Sequence, residues 1–222
     1  MKTVEAYEPR WHAALAVLAA LALYTTLPPK LIVGPLWLLP LLVLITLVPL
    51  LLVPSEKRHQ VKWVRWLAVA NIGSLGAFNV ATIALLLIQQ TAPHHKEFSG
   101  EQLLLAAVQI WLTNILVYAL WYWEIDGGGP VARMREHLEE NPQRGDFLFS
   151  QSLLDPSLRA KIHWHPNFID YLFLAFNTAT AFSPTDTFPL TPRAKTLMMA
   201  EALTALVTIA IVAGRAVNML GS

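Results

Sequence analysis

The sequence predicts an all-α fold. It reads as a polytopic helical membrane protein of five transmembrane helices, plus a shorter, re-entrant helix that enters and leaves the bilayer by one face. Three observations carry this expectation. Five apolar runs lie near the length that crosses a bilayer. Of 222 residues, 55% are hydrophobic and 14% charged, and mean hydropathy is +0.47, which excludes a disordered chain and argues against an ordinary soluble globule. Near the carboxy terminus a short apolar run is followed by a Pro-broken polar segment and then a full-length apolar run.

A spanning helix takes about 20 mostly apolar residues. The five candidates are residues 11–27, 31–53, 62–90, 102–123 and 192–220. The first two are separated by Pro28-Pro29-Lys30 alone, which predicts a tight helical hairpin. Pro40 and Pro49 lie inside the second run and bend it, a distortion that membrane helices tolerate. Residues 11–27 also fit a secretory signal, with Ala20-Leu21-Ala22 as its cleavage motif. Trp11, Trp63, Trp66, Trp121 and Trp123 fall at run ends, where an amphipathic ring prefers the interface. The alternative for Trp63 and Trp66 is packing against neighbouring helices.

Three regions follow: a four-helix transmembrane region (1–124), a polar loop with a short amphipathic helix (125–166) and a carboxy-terminal module (167–222). The loop begins at a helix stop, Gly127-Gly128-Gly129-Pro130. Residues 131–140 then read as a charged helix with Arg135 and Glu139 at i,i+4. Phe147-Leu148-Phe149 and Leu153-Leu154 are apolar points expected to rest on the bilayer surface.

Several chemistries have no support. The 16 Lys+Arg are matched by 15 Asp+Glu, so nothing points to nucleic acid. There is no Cys, which excludes disulfides, Cys-ligated zinc and iron–sulfur clusters. His163-Trp164-His165 lacks an acidic or Cys partner nearby in sequence and reads as a solvated interfacial pair, as does His94-His95, so no metal and no cofactor is expected.

The apolar run 167–180 is about 14 residues long, too short to span. Helix, irregular polar segment, long helix is the pattern of a re-entrant loop. Such backbone is tolerated at membrane depth only where protein or a water-filled cavity satisfies it. Thr178-Ala179-Thr180, then Ala181-Phe182-Ser183-Pro184-Thr185-Asp186, then Phe188-Pro189-Leu190-Thr191, resembles the pore module of potassium channels over about residues 168–220. Tyr171 and Phe173 stand at pore-helix aromatic positions, and Asp186 at the acidic residue behind the filter. The resemblance implies a pore helix, a filter-like loop from Thr178 to Asp186 and an inner helix. The chain as a whole is similar to bacterial five-span membrane proteins with a channel-like ending, which implies the bacterial inner (plasma) membrane. Ser183 and Thr185 replace the filter glycines, Pro184 the Tyr and Ala181 the Thr of the innermost ion site. The family's carbonyl ladder is therefore not expected, and neither is strong potassium selectivity. The family's hinge Gly falls on Ala205.

Glu201, Thr204, Thr208 and Arg215 recur at helical spacing on one face of the last run. An intramembrane carboxylate faces a cavity or a partner, so the stripe reads either as pore-lining or as a helix–helix interface. Asn71, Ser74, Phe78 and Thr82, and the pair Asn114 and Tyr118, read as interhelical hydrogen-bonding positions and as candidate partners for Asn177.

The orientation implied by the resemblance places 13 of the 16 basic residues outside, leaving Lys30, Lys96 and Arg215 inside. The positive-inside rule predicts the reverse, so a cytoplasmic amino terminus is expected. Function reads as a channel-like pore protein, expected to be a homo-oligomer in the lipid bilayer that passes monovalent ions with weak selectivity. The alternative is a non-conducting scaffold or sensor subunit that retains the pore-module fold. A small transporter using Glu201 ranks below both, without an internal repeat to support it. An enzyme built on Ser183, Asp186 and His165 ranks last, because no nucleophile elbow accompanies them.

Overall fold

The computed structural model describes residues 11–52, 62–91, 100–130, 132–133, 145–155, 157–158, 164–183 and 186–220. The charged helix expected at 131–140, His94, His95, His163, Pro184 and Thr185 lie wholly or largely outside them. Six α-helices and two short strands are present among the described residues. Three of these helices are long and apolar enough to cross a membrane. They are α3 (Lys62–Thr91), α4 (Gly100–Ile125) and α6 (Pro192–Leu220).

The first two apolar runs form shorter helices, α1 (Trp11–Thr25) and α2 (Leu38–Leu52), of 15 residues each. At 1.5 Å per residue each is about 22 Å long, less than the ~30 Å hydrocarbon core. The expected tight hairpin is instead a longer corner. A single 3-10 turn occupies Pro29–Leu31, and Gly34 takes φ +71° before Pro35. That left-handed backbone breaks the helix, so α2 starts seven residues later than the apolar pattern suggests. Tyr24 fixes the corner. Its hydroxyl accepts from the Val33 N–H at 2.9 Å and donates to the Val33 carbonyl at 3.3 Å.

Helix α4 is the hub and packs against α1, α3 and α6 as well as the short helix α5 (Phe168–Ala181). Small residues allow this. Ala106, Ala107 and Ala119 of α4, Ala16 and Ala20 of α1, Ala175 and Ala179 of α5 and Ala205 of α6 are all buried. Between apolar helices in lipid, such close approach supplies the dispersion contact that solvent exclusion supplies in water.

The glycine stop behaves as expected. Gly127, Gly128 and Gly129 have φ of +55°, +85° and +97° and turn the chain back at the end of α4. A Cβ on Gly129 would sit 3.1 Å from the Glu124 carbonyl oxygen, so both the backbone angle and the space require glycine there.

The polar loop is joined to the carboxy-terminal module by a small antiparallel sheet. Strand β1 (Phe147–Phe149) pairs with β2 (Thr187–Pro189) in the register Phe147 to Pro189 and Phe149 to Thr187. Phe147 and Phe149 were expected on the bilayer surface, but they are buried. Their rings pack on Tyr122, Tyr171 and Trp164. The alternation of a strand accounts for this, because β1 turns both Phe side chains to one face and Leu148 to the other.

Helix α5 starts with a reciprocal cap. The Asn167 side chain accepts from the Ile169 N–H at 2.9 Å, and the Asp170 carboxylate accepts from the Asn167 N–H at 2.8 Å. It ends at Phe182, whose φ of +53° terminates the helix. Phe168 meets Trp123 edge-on, and the Tyr171 hydroxyl donates to Asp126 Oδ2 at 2.6 Å. The same Asp126 accepts through Oδ1 from the backbone N–H groups of Asp146 and Phe147. Asp146 in turn accepts from Thr191 and from two nitrogens of Arg193, and its carbonyl accepts from the Leu190 N–H. Entry to α5 and exit from the segment after it are therefore both fixed at the carboxy-terminal end of α4.

This knot yields a stability prediction. Asp126→Ala orphans two buried N–H donors and the Tyr171 hydroxyl, and should cost about 3 kcal/mol. Lys195→Ala, at an exposed position, should stay within about 0.5 kcal/mol. Thermal unfolding of purified protein in detergent measures both; equal midpoints would remove Asp126 as an anchor.

Candidate functional site

The polar residues that the sequence marks out inside the membrane fall into two groups. The first is a seam between α4 and α6. Glu201 is fully buried, and the Tyr122 hydroxyl donates to its Oε2. One turn further along α6, the Thr204 hydroxyl donates to Asn114 Oδ1 at 3.0 Å, and the same oxygen accepts from Asn79 Nδ2 of α3 at 3.3 Å. Tyr118 lies beside Thr204, and Thr178 of α5 lies beside the Tyr122 hydroxyl. The second carboxylate oxygen, Glu201 Oε1, and the Asn114 Nδ2 are buried without a hydrogen-bond partner among the described residues.

The helical period explains the seam. Asn114, Tyr118 and Tyr122 recur every four residues along α4, and Glu201, Thr204 and Thr208 recur at three and four along α6. Thr208 is buried and donates to its own helix at the Thr204 carbonyl. The opposite face of α6 is apolar and exposed, with Met199 at 70%, Leu203 at 61% and Leu206 at 50%. The stripe therefore looks into the bundle, toward α4. The side chain of Arg215 lies outside the described residues. Asn177 bonds within its own helix, to the Phe173 carbonyl at 2.8 Å, and not to the asparagines of α3. Asn71 reaches α2 instead: its Nδ2 donates to Thr46 Oγ1 at 2.6 Å and to the Val43 carbonyl at 3.2 Å.

The second group is the segment from Thr178 to Asp186. Thr178 is buried and donates to the Leu174 carbonyl at 2.9 Å. Thr180 donates to the Phe176 carbonyl and is exposed, as are Ala181, Phe182, Ser183 and Asp186. Asp186 accepts from the Ser150 hydroxyl at 3.2 Å and from the Thr187 hydroxyl at 3.3 Å, so the loop's acidic residue faces the polar segment after β1. Thr180, Ser183 and Asp186 lie at the surface, whereas Thr178 and, on α6, Glu201 and Thr208 lie within the bundle. Ser183, Asp186 and His165 are all exposed.

Sequence reasoning missed Tyr122, which lies inside the 102–123 run, and missed the carboxylates Asp126 and Asp146. A signal was available for two of the three. Tyr122 continues the Asn114, Tyr118 register, and Asp126 sits between an apolar helix and three glycines, where a lone carboxylate needs partners.

Two substitutions separate the contributions at Glu201. Glu201→Gln keeps the shape and one acceptor for the Tyr122 hydroxyl, and should change stability by about 1 kcal/mol or less. Tyr122→Phe removes the donor that satisfies Glu201, and should cost about 2 kcal/mol. Unfolding in detergent ranks the two variants; a costlier Glu201→Gln would place the weight on the carboxylate's charge instead.

Comparison of the chain with family models, with curated proteins and with solved structures finds no match.

Proposed function

We propose that the protein is a channel-like integral membrane protein whose segment from Thr178 to Asp186 forms the wall of a weakly selective ion pore between copies of the chain. In this reading the three long helices and the shorter α1 and α2 make five passages, and α5 is re-entrant. The observation that carries it is the anchoring of both ends of this segment to one end of α4. Phe168 and Tyr171 are held there on the way in, and Thr187–Pro189 and Thr191 on the way out. A helix of 14 residues is about 21 Å long, less than the ~30 Å hydrocarbon core. The outward polar groups Thr180, Ser183 and Asp186 then supply the ion-facing surface.

Selectivity should be low. Where the potassium filter aligns successive carbonyls through glycines, this chain has Ser183, Pro184 and Thr185. Reconstituted protein should pass potassium and sodium within about tenfold of one another, and Ser183→Cys should lose flux on treatment with a charged thiol reagent. High potassium selectivity, or flux indifferent to the modified Cys, would falsify this assignment.

A second reading has its own support. The Glu201 stripe is committed to α4, and the exposed residues of the last helix from Met199 to Gly214 are apolar. A non-conducting subunit that keeps the fold fits that geometry. It would give no flux in the same vesicles while assembling normally.

Orientation follows the charge count, with the amino terminus in the cytoplasm and the segment entering from that side. The chain has no native Cys, so single labels are clean. A Cys at Ser99 should react with an impermeant reagent on intact cells, and a Cys at Ser55 should be protected; the reverse pattern would turn the molecule over.

A further inference from the structure

The depth of the corner between α1 and α2 follows from its neighbours. Tyr24 meets Phe78 of α3 edge-on, with ring centroids 5.8 Å apart, and Gln109 Nε2 of α4 donates to Thr26 Oγ1 at 3.0 Å. At the opposite end of the two short helices, Leu50 of α2 packs with Val64 and Ala68 of α3, and Ala13 of α1 lines one crevice with Leu50, Ala68 and Trp123. Helix α1 thus starts, and α2 stops, near the level of Trp66 and Trp123, and the exposed rings of Trp11, Trp63 and Trp66 mark that level as an interface. From Trp66 to Phe78 is 12 residues and from Trp123 back to Gln109 is 14, so the corner lies about 18–21 Å from that interface.

The corner goes no deeper, but α3 and α4 do. The apolar sequence of α3 runs on to Ile88 before Gln89-Gln90, and that of α4 begins at Leu103 after Glu101-Gln102. Trp66 to Ile88 is 22 residues and Leu103 to Trp123 is 20, about 33 and 30 Å, which is the thickness of a full hydrocarbon core. Val80, Ile88 and Leu105 are exposed in the stretch beyond the corner, which suits lipid and not water. The apolar band is therefore about 10 Å shorter on the α1–α2 flank than along α3 and α4.

The corner itself is unsuited to hydrocarbon. Pro29, Lys30 and residues 34–37 are exposed, and the backbone there is irregular, with Gly34 left-handed. Irregular backbone does not face lipid tails, because nothing there satisfies its polar groups. Lys30 carries a charge, and Trp37, at 62% exposure, is of the residue type that settles among headgroups.

We infer that the protein thins the bilayer on its α1–α2 flank. Phospholipid headgroups of the leaflet away from the amino terminus descend to the level of Lys30 and Trp37, about 10 Å below the level at which α3 and α4 leave the hydrocarbon. The partner is phospholipid itself, and α1 and α2 are complete passages across a locally thin membrane. A bilayer accommodates a short apolar segment in this way at modest cost. The inference rests on the helices lying in a bilayer, and not on conduction by the segment from Thr178 to Asp186.

Nitroxide labels on single-Cys variants of the full chain in phosphatidylcholine vesicles read these depths, since the native chain has no Cys. Leu36→Cys reports on the corner, Glu101→Cys on the start of α4 and Leu18→Cys on the exposed middle of α1. Each is exposed to oxygen, which enters hydrocarbon, to a soluble nickel chelate, and to a nickel chelate carried on lipid headgroups. The Leu36 label should be relaxed by both nickel agents as strongly as the Glu101 label, and the Leu18 label by oxygen alone. Lys30→Cys repeats the corner measurement if Leu36→Cys does not fold. A corner label relaxed by oxygen alone would mean a flat bilayer and would overturn the inference. Relaxation by soluble nickel without headgroup-borne nickel would mean a recess walled by protein, such as a second copy, and shielding from all three agents a covered corner; either result overturns it. Nickel access at Leu18 would take the helices out of lipid, and the membrane reading itself would fall with the inference.

Discussion

The buried carboxylate of Asp126 is the constraint on which the rest of this structure depends. It sits at the point where α4 stops, and its two oxygens are shared among three partners from different parts of the chain. Two backbone N–H groups bring in the start of β1, and a tyrosine hydroxyl brings in α5. A carboxylate so placed tolerates burial because hydrogen bonds to its charged form replace water. Its neighbour Asp146 repeats the device one step outward, toward Thr191 and the first turn of α6. The loop after α4 thus acts as a clasp between the hub helix and the carboxy-terminal module. Without it, α5 and α6 would be held to α4 by the contacts of Tyr122 and Asn114 and by apolar packing, and apolar contact in lipid is weakly directional.

The clasp also divides the polar chemistry of the module into two compartments. Inside, α4 and α6 meet through Tyr122 with Glu201 and through Asn114 with Thr204, with Asn79 of α3 completing the set. Outside, the segment after α5 presents Thr180, Ser183 and Asp186 to whatever surrounds the bundle. The compartments are joined at one place, where Thr178 lies beside Tyr122. A change in how Glu201 is satisfied therefore has one short route to the exposed segment, through Tyr122 to the last turn of α5.

Much of the helical architecture was legible because apolar run length is a direct reading of what lipid demands. The long helices fall close to the runs that announced them, and the Gly127-Gly128-Gly129 stop lies where three glycines in a row must end a helix. The corner before α2 was not legible. Residues 31–37 are apolar, and hydropathy cannot tell an apolar helix from an apolar loop; the break rests on the conformation of Gly34 and on the hydroxyl of Tyr24. The strands were missed for a related reason. Three residues make no periodic signal, and Phe147 and Phe149 are recognisable as core only once Thr187–Pro189 is known to lie beside them. The Glu201 stripe was visible as a stripe, but its partner was not. A helical period gives a face without saying which neighbour it meets.

That last distinction bears on any conduction through this fold. A polar stripe on an inner helix is ordinarily the wall of a path, because lipid excludes it and water accepts it. Here the wall has a different occupant, since the aromatic hydroxyls of α4 stand where water would. The cost of burying Glu201 is met within the bundle, which leaves α6 free to show Met199, Leu203 and Leu206 outward. Those residues suit lipid or the apolar flank of another copy equally well. A path between copies would consequently be polar only over the short reach of the return segment and apolar along α6. Ions cross a short polar constriction followed by an apolar passage only when the passage is hydrated, and apolar constrictions close by dewetting. If the fold conducts, its gate is therefore expected along the exposed apolar face of α6, and its filter at Thr180–Asp186.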